Sequence, residues 1–228
     1  MLLLFDIDGT LLLRAFAEHR AALHDAVREV CGVEDPAAVH VEAAGRTDAE
    51  IARQILLRSG ISAGAAEAHA TDVQEAACRA YARRCPDDLS ATVAPGVSEL
   101  LDGLEGTGAR IALLSGNYEP IAWLKLGRAG LAGHFERGQG AFGSDHVDRA
   151  ALPPIARQRA GENGTPHPRE QTLVIGDTPN DVACARADGV GCIAIATGPY
   201  GAGELQGADA VVADAAELAG LLQTRLAA

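Results

Sequence analysis

Three short apolar segments, each followed within two residues by a small polar or acidic residue, constrain the fold of this chain most. They are residues 2–5, 110–114 and 172–175, followed by Asp6, Ser115 and Asp177. Segments of this length and composition are typical of buried strands. Further helices are predicted at 97–104, 119–129, 181–187 and 215–226, and further strands at 191–195 and 210–212. This alternation predicts an α/β fold, a Rossmann-like three-layer core with a parallel sheet.

One stretch, residues 15–89, lacks this alternation. Its apolar spacing predicts three helices, over 15–31, from Thr47-Asp48 to Gly60, and over about 63–84. We therefore expect an inserted all-helical cap domain at 15–89 and a core domain made of 1–14 and 90–228. A hinge between the two is expected near 13–15 and 86–95.

Composition excludes several classes of partner. The 228 residues are 48% apolar and only 4% aromatic, so the core must be aliphatic. A net charge of −12 argues against general binding to nucleic acid or a membrane surface. Five scattered cysteines, without metal-type pairing, indicate reduced thiols and a cytoplasmic protein. The first apolar run is too short for a signal peptide or a membrane span.

The polar residues at the strand ends suggest one site. Ligands of open parallel sheets bind at the carboxyl ends of the strands, so Asp6, Asp8 and Asp177 are expected to meet there. A single aspartate after a strand can simply cap a turn, but three strand ends of this kind in one chain argue against that alternative. Three carboxylates suit Mg²⁺. A carboxylate can also attack phosphorus, and Ser115 can donate to phosphate oxygens.

These motifs resemble those of the haloacid dehalogenase (HAD) superfamily of phosphohydrolases, in its phosphoglycolate phosphatase-like branch with a C1-type helical cap. Residues 6–11 (DIDGTL) resemble the first motif, 114–117 (LSGN) the second and 176–181 (GDTPND) the fourth. The resemblance covers nearly the whole chain, and the order of the motifs on strand ends makes it specific.

The resemblance implies a role for each matching residue. Asp6 would be the nucleophile, and Asp8 the general acid and then the general base. The Asp8 carbonyl, Asp6 and Asp177 would hold Mg²⁺, with Asp181 a further metal partner or only a helix cap. Ser115 would bind the transferring phosphoryl group. An aspartate at position 8 favours phosphate esters over carbon–halogen bonds, because a leaving alkoxide needs a proton and a halide does not.

Four residues are candidates for binding the rest of the substrate: Thr10, Gly116, Asn117 and Arg46. Arg46 belongs to the loop 45–48, which resembles the specificity loop of the family's cap. It could reach a second anionic group on the substrate. The alternative is that Thr47 or Asp48 caps a helix and Arg46 is solvated.

The third motif of the family, a lysine or sometimes an arginine that neutralises the nucleophile, has two candidates. Arg149 is the positional match, in a segment that runs to Pro153-Pro154. Lys125 is the alternative and is preferred, because it is the single lysine beside 18 arginines. Lysine is a compact point charge, whereas arginine is a rigid fork.

Three functions are compatible with these residues. The first is a Mg²⁺-dependent phosphatase that hydrolyses small phosphorylated metabolites through an aspartyl-phosphate. The second is a phosphosugar mutase similar to β-phosphoglucomutase, and the third a non-catalytic binding protein of the same fold. The three retained aspartates argue against the third. The sequence leaves open the identity of the substrate and the choice between monomer and homodimer.

Overall fold

A computed structural model of the protein describes residues 1–226. Within that range six parallel strands form one sheet in the order β3-β2-β1-β4-β5-β6. The strands are β1 (Leu2–Phe5), β2 (Arg110–Ser115), β3 (Ala141–Phe142), β4 (Thr172–Gly176), β5 (Gly191–Ile195) and β6 (Ala210–Val212). The first strand lies in the middle, with Phe5 opposite Leu113 of β2 and Ile175 of β4. The residues that follow β1 are therefore flanked by the ends of two other strands.

The described helices, in chain order, are α1 (Ala17–Cys31), α2 (Asp48–Arg58), α3 (Ala63–Ala68), α4 (Ala70–Arg84), α5 (Val97–Leu104), α6 (Glu119–Ala129), α7 (Leu152–Ala160), α8 (Pro179–Asp188) and α9 (Ala215–Leu226). Side chains of β1 alternate between two apolar clusters, with Leu3 and Phe5 in one and Leu2 and Leu4 in the other. Helices α5, α6 and α9 contribute to the first cluster, and α7 and α8 to the second. The predicted three-layer α/β core is confirmed.

Helices α1 to α4, here called the helical insertion, all lie between β1 and β2. Small residues of α1 and α4, such as Ala22 and Ala77, are buried in the first apolar cluster. The prediction of one helix over 63–84 was wrong. The helix is interrupted at His69, whose backbone (φ −95°, ψ 0°) lies outside the helical conformation, so α3 and α4 are separate helices.

Two further observations concern the described residues. None of their helices combines the length and the apolar character that crossing a membrane requires. All five cysteines lie within this range as free thiols, and Cys85, Cys184 and Cys192 are buried.

Candidate active site

The ends of two strands and the start of a helix meet at the carboxyl edge of the sheet. Asp6 follows β1, and its backbone N–H donates to the Ile175 carbonyl of β4 (2.9 Å). Asp177 follows β4, and Asp181 lies in the first turn of α8. Carboxylate oxygens of these three aspartates lie within 4.8 Å of one another, and all three residues are buried. A single cation of ordinary size could contact all three.

Glycines surround the Asp177 carboxylate. Gly9 has a φ of +95°, which favours glycine, and a methyl group there would overlap the Asp177 carboxylate. A methyl group at Gly198 would overlap it as well. Thr10 Oγ1 donates to Asp177 Oδ1 (3.1 Å), whereas Asp177 Oδ2 is buried without a hydrogen-bond partner. The carboxylate is thus held tightly, with one oxygen left for an outside ligand.

Arg149 is the cation that contacts the central carboxylates. Its Nη2 donates to Asp6 Oδ1 (2.8 Å) and also to Asp181 Oδ1, and the residue is only 6% exposed. A short turn that begins after Asp148 positions it, with Asp148 Oδ1 accepting from the Ala150 N–H (2.9 Å). The preference for Lys125 at this position does not agree with the geometry.

Lys125 contacts the other carboxylate of the first motif. From the buried face of α6, its Nζ donates to Asp8 Oδ1 (2.8 Å) and Oδ2 (2.6 Å). Asn117 Nδ2 also donates to Asp8 Oδ2 (2.8 Å). Because α6 begins just after the second motif, its inner face reaches Asp8 and not Asp6. Each carboxylate of the first motif therefore has its own cation.

Asp181 has two structural roles. Its Oδ2 accepts from the N–H (3.0 Å) and hydroxyl (2.6 Å) of Thr178, which forms a capping box at the start of α8. Its Oδ1 accepts from Arg149. Asp181 thus takes part in the helix cap, as one alternative predicted, with Thr178 as the capping residue, and its role as a metal partner stays a prediction.

The charge balance differs between the acids. Burial raises the pKa of Asp6 to about 7, although Arg149 opposes the rise. Burial, followed by the charge of Asp6, raises the pKa of Asp177 to about 8. Burial also disfavours the charged form of Asp8, but the opposing interactions, led by the charge of Lys125, together outweigh it and lower the pKa of Asp8. The Asp6–Asp177 cluster is therefore short of positive charge, and Asp8 is not.

The residues present fit a divalent cation. The donors are carboxylate oxygens, which suit hard ions such as Mg²⁺. Two observations indicate a deficit of positive charge that such an ion would correct. Asp177 Oδ2 has no hydrogen-bond partner, and the pKa values of Asp6 and Asp177 are raised. Asp6 and Asp177 would hold it, with Asp181 beside them.

The second motif provides the polar groups next to Asp8. Ser115 is fully buried, and its Oγ accepts from the backbone N–H (3.2 Å) and Nδ2 (2.8 Å) of Asn117. Among the described residues no acceptor receives the Ser115 hydroxyl proton, so it can be donated to a phosphoryl oxygen. Thr10, in contrast, already uses its hydroxyl to hold Asp177.

The helical insertion is seated on this site through its loop before α2. The Asp48 N–H donates to the Gly116 carbonyl (2.8 Å), and Asn180 Nδ2 donates to the Ala44 carbonyl (2.8 Å). A side chain at Gly116 would overlap the Arg46 carbonyl, so the two backbones approach closely. The insertion thus covers the edge of the sheet where the acids lie.

Arg46 is engaged within the insertion. Its guanidinium pairs with Glu50, and its Nε donates to the Glu42 carbonyl (2.9 Å). Thr47 caps α2 by accepting from the Glu50 N–H (3.0 Å), as one alternative predicted. A contact between Arg46 and substrate stays a prediction.

Sequence reasoning missed several residues of the site. Gly198 follows β5, and the rule on carboxyl strand ends would have pointed to it had it been applied to a fourth strand. His19 and Asp48 form hydrogen bonds that lead to Lys125, and no local pattern marks those contacts.

Comparison with known proteins agrees with this geometry. The sequence profile of the haloacid dehalogenase-like hydrolase family matches residues 3–186, and the chain belongs to that family. It is an enzyme, a hydrolase of the phosphatase type. It is similar to a phosphoglycolate phosphatase of Rhodospirillum rubrum, 30% identical over 199 residues, which are 86% of this chain and 79% of the relative. A phosphoglycolate phosphatase of Pseudomonas syringae is 29% identical over 205 residues, 86% of this chain and 70% of the relative.

Solved structures share the fold. CbbY from Rhodobacter sphaeroides, in complex with phosphate, superposes with a TM-score of 0.66 at 20% identity and covers 95% of each chain. A β-phosphoglucomutase from Clostridium difficile gives a TM-score of 0.65 at 15% identity, covering 98% of this chain and 96% of the other. At these identities the likeness concerns the architecture.

Proposed function

We propose that the protein is a Mg²⁺-dependent phosphatase that hydrolyses small phosphorylated metabolites through an aspartyl-phosphate. The observation that carries the proposal is the convergence of Asp6, Asp177 and Asp181 within 4.8 Å beside an independently paired Asp8. The relatives named phosphoglycolate phosphatase support a small phosphate monoester as the substrate class.

In the proposed reaction Asp6 attacks phosphorus while the phosphoryl oxygens accept from Ser115 and neighbouring backbone N–H groups. A bound Mg²⁺ would supply positive charge for the phosphoryl oxygens and for Asp6. Arg149 keeps Asp6 oriented, since one of its nitrogens contacts both Asp6 and Asp181. The leaving oxygen then departs with a proton from Asp8.

Asp8 serves both halves of the reaction. Lys125 and Asn117 stabilise its ionised form, which suits the second half, where a base takes a proton from the attacking water. The proton that Asp8 gives to the leaving oxygen in the first half is supplied by the substrate, when the phosphate monoester binds as its monoanion.

We also propose that residues 15–89 act as a cap domain that opens for substrate, with 1–14 and 90–228 as the core domain. The docking contacts of Ala44, Asp48 and Gly116 support a closed state. The free thiols are in keeping with a cytoplasmic location. A monomer or a homodimer would suit the proposal equally.

The proposal is tested by assaying purified protein with 4-nitrophenyl phosphate and a panel of phosphorylated metabolites that includes 2-phosphoglycolate. We expect release of inorganic phosphate that requires Mg²⁺ and stops with a chelator. Absence of release from every compound at all Mg²⁺ concentrations would contradict the proposal. Activity that requires a sugar bisphosphate as activator would identify a mutase instead.

A second test uses stability. The ordinary pKa of an aspartate is 3.8, whereas those of Asp6 and Asp177 are about 7 and about 8 in the fold. Because the folded state holds these protons more strongly than the unfolded state, stability without metal should fall as pH rises from about 4 to about 8. Mg²⁺ replaces the protons, so its stabilising effect should grow over the same range.

We expect Mg²⁺ to raise the melting temperature by about 5 °C or more at a pH of about 8, and by less than half as much at about 5.5. Differential scanning calorimetry measures both shifts. The variant Asp177→Asn is the control and should lose the response. Equal shifts at the two pH values, or an unchanged shift in Asp177→Asn, would contradict the assignment of the metal site.

A further inference from the structure

A buried chain of hydrogen bonds connects the helical insertion to Asp8. Lys125 Nζ, which donates to both oxygens of Asp8, also contacts Nδ1 of His19 on α1 (3.0 Å). His19 Nε2 lies 2.9 Å from Asp48 Oδ2 at the start of α2. The same Asp48 oxygen accepts from the Tyr118 N–H of the core (2.7 Å). The exposed fractions of His19, Asp48 and Lys125 are 8%, 3% and 0%.

With Lys125 as an ammonium group, the donors and acceptors of this chain permit one arrangement of protons. An ammonium group has three N–H bonds and no acceptor, so His19 Nδ1 must accept from Lys125. His19 Nε2 then carries the ring proton and donates it to Asp48. The two oxygens of Asp8 and the His19 nitrogen use all three donors of Lys125. The imidazole also packs against the ring of Tyr81 in an edge-to-face arrangement, with the ring centroids 5.5 Å apart.

The chain crosses between two bodies of the fold. Lys125 and Asp8 belong to the α/β core, whereas His19 and Asp48 belong to the helical insertion. Asp48 is also a docking residue, because its N–H and its carboxylate both bind the backbone of residues 116–118. The third hydrogen bond of Lys125 therefore exists only while the insertion is seated on the core.

We infer that His19 is a positioning residue, held by Asp48, that fixes Lys125 on Asp8 when the insertion closes over the substrate. The inference rests on the proposed function, since it gives Asp8 the role of general acid and base. His19 touches neither substrate nor the reacting atoms. It acts by restricting Lys125, which restricts the Asp8 carboxylate, so proton transfer to the leaving oxygen becomes efficient only in the closed state.

The first arm of the test measures the chemical reactivity of Lys125 and needs no enzymatic activity. The chain has a single lysine, so the modified side chain is identified without ambiguity. Limited acetylation with an N-hydroxysuccinimide ester, followed by peptide mass spectrometry, reports the reactivity of Lys125 relative to the N-terminal amine. We expect His19→Leu and Asp48→Ala each to raise this relative rate by about tenfold or more, because each removes hydrogen bonds that hold the ammonium in place. His24→Leu, on the same helix, is the matched control and should leave it unchanged.

The second arm uses two substrates that differ in leaving group. Phenol leaves less readily than 4-nitrophenol and depends more on a general acid. We expect His19→Leu to lower kcat/KM by about tenfold or more for phenyl phosphate and by less than about threefold for 4-nitrophenyl phosphate. His19→Gln, which keeps one donor and one acceptor, should recover most of the loss. The double variant His19→Leu with Asp48→Ala should have a kcat/KM no lower than that of the less active single variant, since both residues act through one chain.

The variant Asn180→Ala distinguishes the positioning of Lys125 by His19 from a general loss of docking of the helical insertion. It removes the bond to the Ala44 carbonyl, another docking contact, without touching the chain to Lys125. The inference requires both a change in acetylation and a change in leaving-group dependence for His19→Leu. It is overturned if either is missing, or if Asn180→Ala reproduces both. Failure of the wild-type protein to hydrolyse these esters and every compound of the metabolite panel would contradict the proposed function. The acetylation arm would then decide the positioning of Lys125 alone.

Discussion

Replacing Asp6 with asparagine is expected to abolish turnover while leaving the protein folded. Asparagine cannot form the acyl phosphate, so kcat should fall by about 10⁴-fold or more. The fold should persist, because the side-chain oxygen of the new asparagine could still accept from Arg149 and one charge would leave a crowded acidic cluster. Burial already disfavours ionised Asp6, which is why its removal should not destabilise the core.

The measurement combines steady-state kinetics, a thermal melt and mass spectrometry of acid-quenched enzyme. Wild-type protein should show a population that is heavier by one phosphoryl group, and Asp6→Asn should not. Asp102→Asn, an exposed aspartate on α5, is the control and should keep both the activity and the heavier species. Turnover at the normal rate in folded Asp6→Asn protein would rule out the nucleophile assignment.

Replacing Arg149 with methionine is expected to affect stability and activity together. The guanidinium is buried and donates to Asp6 and Asp181, so its removal leaves two carboxylates without their cation. Breaking a buried ion pair from one side typically destabilises a protein by about 3–5 kcal/mol. Denaturant unfolding at a pH of about 8 should show a loss of this size, and activity should fall by about 100-fold or more.

Arg149→Lys is the matched comparison. Lysine keeps the charge, but its ammonium sits at the end of a flexible stem instead of a rigid planar guanidinium, so we expect it to hold the two carboxylates less firmly. We expect activity within about tenfold of the wild-type protein and a stability between those of the wild-type and methionine proteins. A methionine protein with wild-type stability would show that Arg149 contributes nothing to holding the acidic cluster. The corresponding variant Lys125→Met should lower stability without altering the contact between Arg149 and Asp6.

The sequence predicted the parts of this fold that depend on local periodicity. Strands β5 and β6 and helix α9 lie within the predicted bounds, and the aspartates of the first and fourth motifs meet at the predicted edge of the sheet. Apolar runs determine a strand, and the carboxyl-end rule brings strand ends together without knowledge of side-chain geometry. The interruption at His69 was not predicted, because the helical apolar spacing continues through it.

The pairing of cations with carboxylates depended on geometry that a sequence does not contain. Lys125 and Arg149 were both candidates for one role, and the structure shows that they contact different aspartates. Which aspartate each cation contacts depends on the face of α6 that is buried, which carries Lys125, and on the position of the short turn after β3, which carries Arg149. Likewise, His19 and Asp48 meet Lys125 only through tertiary packing between separate segments.

The way the helical insertion docks has an evolutionary consequence. Its seating relies on main-chain groups of residues 44–48, which meet Gly116 and the Asn180 side chain of the core, and on the Asp48 carboxylate, which accepts from the Tyr118 N–H. Main-chain groups survive almost any substitution, so neighbouring side chains such as Arg46 are free to diverge without loss of closure. A lineage that keeps Asp48, Gly116 and Asn180 could therefore acquire new substrates by point mutation, with its chemical steps inherited intact.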